Sequence, residues 1–166
     1  MKNEELEKVL AIAEQWTKAP YDAETQAAVK AMIEAEDKTE LIDSFYRTLE
    51  FGTGGLRGLM GPGTNRMNKY IVAQATQGYA NYLLKVQQQG GFETLKGDTV
   101  SVVVGHDCRN NGRLFAETVA AVFAANGIKV YLFESLRPTP EVSFAIRHLS
   151  AQGGVNVTAS HNPKEY

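Results

Sequence analysis

Thr99 to Asp107 reads T-V-S-V-V-V-G-H-D, and this stretch decides the fold. Valines stand at 100, 102, 103 and 104. Adjacent strand residues point to opposite faces, so apolar neighbours at 102, 103 and 104 predict a strand buried on both sides. A strand of that kind belongs in a parallel sheet with helices on its faces. The sequence downstream supplies both. Leu114–Ala125 has helical periodicity and stops at Asn126-Gly127, with glycine in the capping place. Ile128–Phe133 reads as a second strand. Thr139-Pro140-Glu141 opens another helix, with Thr139 as cap, proline in the first turn and an acid behind it. Gly153-Gly154 follows that helix, and Val155–Thr158 is a short third strand. Two successive right-handed crossovers make this an α/β fold.

Upstream the pattern differs. Asn3 can cap a first helix with Leu6, Val9, Leu10, Ala13 and Trp16 on one face. Pro20 interrupts it. Asp22 caps a second helix carrying Val29, Met32 and Ile33, and Thr39 a third carrying Leu41, Ile42, Phe45 and Leu49. Residues 1–49 therefore read as a helical extension that wraps the outside of a domain spanning 50–166. Phe51 to Gly63, F-G-T-G-G-L-R-G-L-M-G-P-G, is too glycine-dense for a helix or a strand core. Asn68 then opens a long helix with Ile71, Val72, Ala75, Tyr79, Tyr82 or Leu83, and Val86, ending at Gly90-Gly91.

Composition narrows the function. The 166 residues carry 17 basic and 19 acidic side chains, a formal net charge of −2, which does not favour nucleic acid. No run is long enough to span a bilayer, and the N-terminus has no apolar signal core. The lone Cys108 offers no internal disulfide and no zinc cluster, in keeping with a reducing cytoplasm. Asn156-Val157-Thr158 matches a glycosylation acceptor but falls in a strand with no secretory signal before it.

Loops that follow parallel strands leave from one sheet edge, where ligands bind in such folds. Here that edge collects Asp107, Arg109, Arg137, Ser160 and His161. Ser160 lies in no G-x-S-x-G elbow and shows no orienting acid, so catalytic serine and turn serine both stay open. Asp107 and Arg109 can serve a site, pair with each other or cap the next helix. The loop Gly52-Thr53-Gly54-Gly55-Leu56-Arg57-Gly58 departs from both nucleotide fingerprints. It has Arg57 at the third glycine place of one and lacks the Gly-Lys-Ser/Thr of the other. Bare amides around one arginine suit a phosphate, and a structural glycine turn is the other reading.

In order, L-E-F-G-T-G-G-L-R-G, V-G-H-D-C-R-N-N, L-R-P-T-P and T-A-S-H-N-P-K-E-Y resemble the α-D-phosphohexomutase family. W-T-K-A-P and A-T-Q-G-Y-A-N-Y-L are similar to its phosphoglucomutase/phosphopentomutase-like branch. The resemblance implies a three-layer α/β/α first domain with a mostly parallel, mixed sheet. It implies an enzyme that interconverts sugar 1-phosphate and 6-phosphate through a phosphoserine at Ser160 and a bound bisphosphate. Mg²⁺ would bind the Ser160 phosphate, and a sugar 1,6-bisphosphate would serve as activator. Arg57 matches the arginine that faces the reacting phosphate, and His161 the histidine that orients the sugar hydroxyl. Thr53, Gly54, Asp107, Arg109 and Asn162 would bind phosphate or support the loops. The implied partners are a phosphorylated sugar and the enzyme's downstream domains, with no nucleic acid and no membrane. Family members carry four domains, so the chain is expected to be the inactive first part of a longer enzyme. The competing expectation is an inactive sugar-phosphate or anion-binding module.

Overall fold

The structure, a computed structural model, describes residues 3–52, 54–93 and 99–166, without the side chain of Asn3. The expected Asn3 cap and the site residue Thr53 therefore lie outside the described residues. The chain divides into two compact units, Met1–Ile71 with Glu165–Tyr166, and Val72–Lys164.

The first unit opens with three helices, α1 (Asn3–Gln15), α2 (Ala23–Glu34) and α3 (Thr39–Phe45). Their apolar faces close over Val9, Ala13, Trp16, Val29, Leu41, Phe45 and Ile71. Trp16 stacks on Tyr21 at 4.3 Å and meets Phe45 and Tyr70 edge-on. Asp22 caps α2 as expected, accepting the Thr25 N–H at 2.8 Å. Its second oxygen accepts from the Tyr70 hydroxyl at 2.7 Å and pairs with Lys69 Nζ at 2.9 Å. The bond from the Thr25 backbone comes first, then those from Lys69 and Tyr70. Together they hold the Asp22 carboxyl well below the usual carboxylate range. Thr39 does not cap α3 and is instead its first residue. Asp37 Oδ1 accepts both the Thr39 N–H (2.9 Å) and its hydroxyl (2.6 Å). The glycine loop forms a two-residue hairpin, β1 (Phe51–Gly52) against β2 (Gly55–Leu56).

Helix α4 (Lys69–Gln88) begins where expected: Asn68 Oδ1 accepts the N–H groups of Tyr70 and Ile71. At the ambiguous pair, Leu83 is buried and Tyr82 exposed. The helix ends in paired bonds, Gly90 N–H to Gln87 O and Gly91 N–H to Val86 O. Gly90 has a φ of 68°, the left-handed turn this ending requires.

In the second unit, β3 (Ser101–His106), β4 (Lys129–Leu132) and β5 (Gly153–Val157) form a parallel sheet in the order β4-β3-β5. Every residue of β3 is buried. Helix α6 (Thr139–His148) covers one face, where Val103, Val142, Ala145 and Ile146 pack together. The other face meets α4 through Tyr79, whose ring also packs on Phe123 of α5 (Gly112–Ala125). The layers are therefore helix, sheet, helix.

Two expectations need correction here. Gly153-Gly154 lies inside β5 rather than before it. A Cβ on Gly153 would sit 2.1 Å from the Tyr79 hydroxyl, and one on Gly154 would sit 2.6 Å from Ile146 Cδ1. Both helix layers approach so closely that only glycine fits. Thr139 also does not cap α6. It is the first residue of the helix, and its hydroxyl accepts from Asn156 Nδ2 at 2.7 Å. The Pro138 carbonyl instead takes the Glu141 N–H at 3.0 Å. Among the described residues, no helix is long and apolar enough to cross a membrane.

Two tests follow from these contacts. In Gly154→Ala the new Cβ would also lie 2.7 Å from the backbone oxygen of Val103, which cannot swing away. Urea unfolding should show a loss of about 1–3 kcal/mol. Asp22→Ala should cost ~1 kcal/mol at neutral pH through the lost cap. The folded pKa of Asp22 is depressed, so its charge-dependent stabilisation is full above the unfolded value of about 3.9. That part is lost as pH falls from there through the folded value. The gap in urea midpoint between wild type and Asp22→Ala should therefore narrow below about pH 4.

Candidate functional site

Strand order determines which loops meet. From the central β3 the chain crosses to β4 on one side, then back over to β5 on the other. The loops after β3 and β5 thus leave adjacent strand ends at the point where the direction of winding reverses. The register sets His106 beside Val157, and the Asp107 N–H continues the ladder to Val157 O at 3.1 Å. Asp107 and Thr158 are the next residues on each side.

Asp107 bridges the two loops. Its Oδ1 accepts the Arg109 N–H at 3.0 Å, and its Oδ2 accepts the Thr158 hydroxyl at 2.5 Å. Arg109 crosses the same gap with its side chain. Nη1 donates to Pro163 O at 3.0 Å, and Nη2 donates to Ser160 O at 2.9 Å and Asn162 O at 2.7 Å. The two residues neither form an ion pair with each other nor cap α5, whose cap position is Asn111. The planar guanidinium fork suits this gathering of carbonyls.

Ser160 is exposed, with a φ of 53°. A side-chain-bearing residue in this left-handed region carries ~1–3 kcal/mol of strain and persists where its surroundings hold it. Here they do. The Ser160 N–H donates to Thr158 Oγ1 at 3.0 Å, its carbonyl is held by Arg109, and Asn162 N–H closes the turn on Ala159 O at 2.9 Å. The Ser160 Oγ stands 3.3 Å from Nδ1 of the exposed His161.

Arg137, grouped with these residues by sequence, is occupied elsewhere. Its Nη1 donates to Ser135 Oγ and Leu136 O, both at 2.7 Å, and its guanidinium lies over the Phe133 ring. Nε is 3.0 Å from Glu141 Oε1, an ion pair whose N–H geometry falls short of a hydrogen bond. Cys108 is an exposed free thiol, and His148 stacks on Phe144 on α6.

Arg57 belongs to the first unit and is described with it. Glu50, Gly52, Gly54, Gly55 and Arg57 line an open pocket around the small hairpin. The guanidinium folds over Gly54, where a Cβ would lie 2.7 Å from Nη2. Thr53 lies outside the described residues.

Sequence reasoning singled out neither Thr158 nor His106. The signal for Thr158 was the Thr-x-Ser spacing, which lets a hydroxyl accept from the amide two residues on. His106 ends β3 and is buried. Its Nδ1 is 3.0 Å from Asp107 O, and its Nε2 has no hydrogen-bond partner among the described residues. No local pattern distinguishes it from a loop histidine.

Residues 48–166 match the family described as phosphoglucomutase/phosphomannomutase, alpha/beta/alpha domain I. The chain is 41% identical over 157 residues to a phosphopentomutase of Homo sapiens, covering 91% of this chain and 24% of that protein. It is 38% identical over 145 residues to a phosphoglucomutase of Staphylococcus epidermidis, covering 87% and 25%. Among solved structures, a "putative phosphomannomutase" from Thermus thermophilus superposes with a TM-score of 0.61 at 35% identity, covering 72% of this chain and 24% of that one. The chain spans about a quarter of the length of the curated relatives it matches.

Arg109→Lys tests the loop geometry. One ammonium cannot span three carbonyls as the fork does. Amide hydrogen exchange at Asn162 should accelerate while Val102–Val104 keep wild-type protection. Unchanged exchange at Asn162 would mean that Arg109 does not hold the turn.

Proposed function

This chain belongs to the phosphoglucomutase/phosphomannomutase family, and from that premise we propose that Ser160 carries the phosphoryl group of a sugar-phosphate mutase. The reaction proposed interconverts sugar 1-phosphate and 6-phosphate. Phosphorylated Ser160 gives its phosphoryl group to a hydroxyl of the bound sugar phosphate. The P–Oγ bond breaks, a bond from phosphorus to the sugar oxygen forms, and the hydroxyl proton ends on Oγ. The resulting bisphosphate returns its other phosphate to Ser160, and the proton goes back. Such transfers depend on positioning and charge neutralisation more than on covalent help.

One observation carries this reading: Ser160 has its N–H bonded to Thr158, its carbonyl held by Arg109 from the neighbouring loop, and an exposed side chain. That arrangement fixes the oxygen while leaving it open to a reacting group. His161 Nδ1, at 3.3 Å, is placed to pass the proton or to orient the sugar hydroxyl. Arg57 is proposed to hold phosphate oxygens through its fork. Gly54 leaves room for that guanidinium. Asp107 and Arg109 hold the serine loop, and Asn162 contributes its carbonyl to Arg109.

Mg²⁺, implied by the resemblance, finds little here. Among the described residues no three His, Cys, Asp or Glu side chains gather, and both Asp107 oxygens are engaged. Apart from one oxygen of a phosphorylated Ser160, the residues of this chain do not by themselves form a Mg²⁺ site. We propose that the whole activity belongs to a longer protein in the cytoplasm, with a sugar 1,6-bisphosphate as activator. The 166-residue chain alone should show negligible turnover in a coupled mutase assay.

The deciding test is phosphate at Ser160 in protein purified from its native cells. Mass spectrometry of the peptide spanning Ser160 should find it phosphorylated, and Ser160→Ala should remove both that phosphate and mutase activity. A native protein with active mutase turnover but no phosphate at Ser160 would refute the phosphoserine reading. Absence of both would leave the inactive anion-binding module.

A further inference from the structure

We infer that Thr158 is a positioning residue, whose hydroxyl, oriented by Asp107, holds Ser160 in the left-handed conformation from which Oγ reacts. The inference rests on the phosphoserine reading and assigns to it a residue that family resemblance did not.

The hydroxyl of Thr158 has one proton and two lone pairs. An ionised carboxylate can only accept, so the contact at 2.5 Å to Asp107 Oδ2 fixes where that proton goes. A lone pair is then left for the Ser160 N–H, which donates to it at 3.0 Å. Asp107 thus sets the rotation of the Thr158 hydroxyl, and that hydroxyl sets the Ser160 amide. Arg109 fixes the other end of the same residue through its carbonyl.

The conformation needs such support. Ser160 is the second residue of a turn closed by Asn162 N–H on Ala159 O. With a φ of 53°, it occupies a place where glycine dominates. Glycine would relieve the backbone but has no oxygen to carry phosphate. A serine here requires bonds that make the strained conformer the stable one. Thr158 is exposed, so its contribution lies in the hydroxyl rather than in core packing.

Two variants separate hydroxyl from shape. Thr158→Val keeps the branched outline and loses both bonds, whereas Thr158→Ser keeps the hydroxyl and loses only the methyl group. In the 166-residue chain, amide exchange at Ser160 should accelerate about two- to tenfold in Thr158→Val, as expected for one lost hydrogen bond. Thr158→Ser should restore it. In protein from native cells, phosphate occupancy of Ser160 should fall in Thr158→Val and recover in Thr158→Ser. Wild-type exchange and occupancy in Thr158→Val would overturn the inference, and so would a Thr158→Ser that behaves like Thr158→Val. A wild-type protein that is never phosphorylated at Ser160 sinks the phosphoserine reading instead, and the exchange ratio alone then decides whether Thr158 holds the turn.

Discussion

The parallel register that sets His106 beside Val157 brings Asp107 and Thr158 level at the ends of neighbouring strands. The serine loop is built on that alignment. Because β4 and β5 lie on opposite sides of β3, the two loops meet where the winding reverses, with no strand between them. A displacement of β5 by one residue would turn each of its side chains to the opposite face. Gly153 and Gly154 oppose such a slip. Each matches the helix that crowds its own face, and a bulkier neighbour moved into either place would collide. Packing in the sheet interior and hydrogen bonding at its edge are therefore one constraint. Glycines in β5 hold the register, and the register allows Asp107 to reach Thr158.

Much of this was legible in the sequence because some signals are local. The valines around Ser101 identified the central strand, since few alternatives accommodate apolar neighbours on both faces. Asp22 and Asn68 were readable as caps because a short acceptor at a helix start competes only with water. The failures share another cause. Thr39 and Thr139 are equally good local caps, but each hydroxyl has a different partner, Asp37 in one case and Asn156 in the other. Gly153-Gly154 reads as a link between helix and strand because nothing nearby in sequence reveals that Tyr79 and Ile146 press on it.

The candidate site divides in the same way. Residue types and order pointed to Ser160, His161, Arg57, Asp107 and Arg109 without showing how any of them is used. The choices left open by sequence concerned partners far away along the chain. Arg109 reaches three carbonyls rather than a carboxylate, and the Arg137 side chain stays within its own loop and helix while its backbone N–H donates to His106 O at 3.0 Å. An arginine near a reactive serine invites a phosphate-binding role. Arg109 commits both Nη groups to protein carbonyls, and Arg137 commits Nη1 to Ser135 and Leu136.

That engagement bears on how charge can be handled in the proposed reaction. In the serine loop the Ser160 and Asn162 amides are bonded within the loop, and the Arg109 guanidinium is committed to its carbonyls. Such a loop is built to hold an oxygen in place rather than to surround an anion with donors. The glycine loop differs: an exposed guanidinium folds over small residues that line an open pocket. Rigid placement needs saturated hydrogen bonds, whereas anion binding needs unsaturated donors, so one loop cannot satisfy both demands fully. The saturated bonds around Ser160 meet the first demand. Those same bonds let a serine, rather than the glycine its backbone would prefer, stand at position 160.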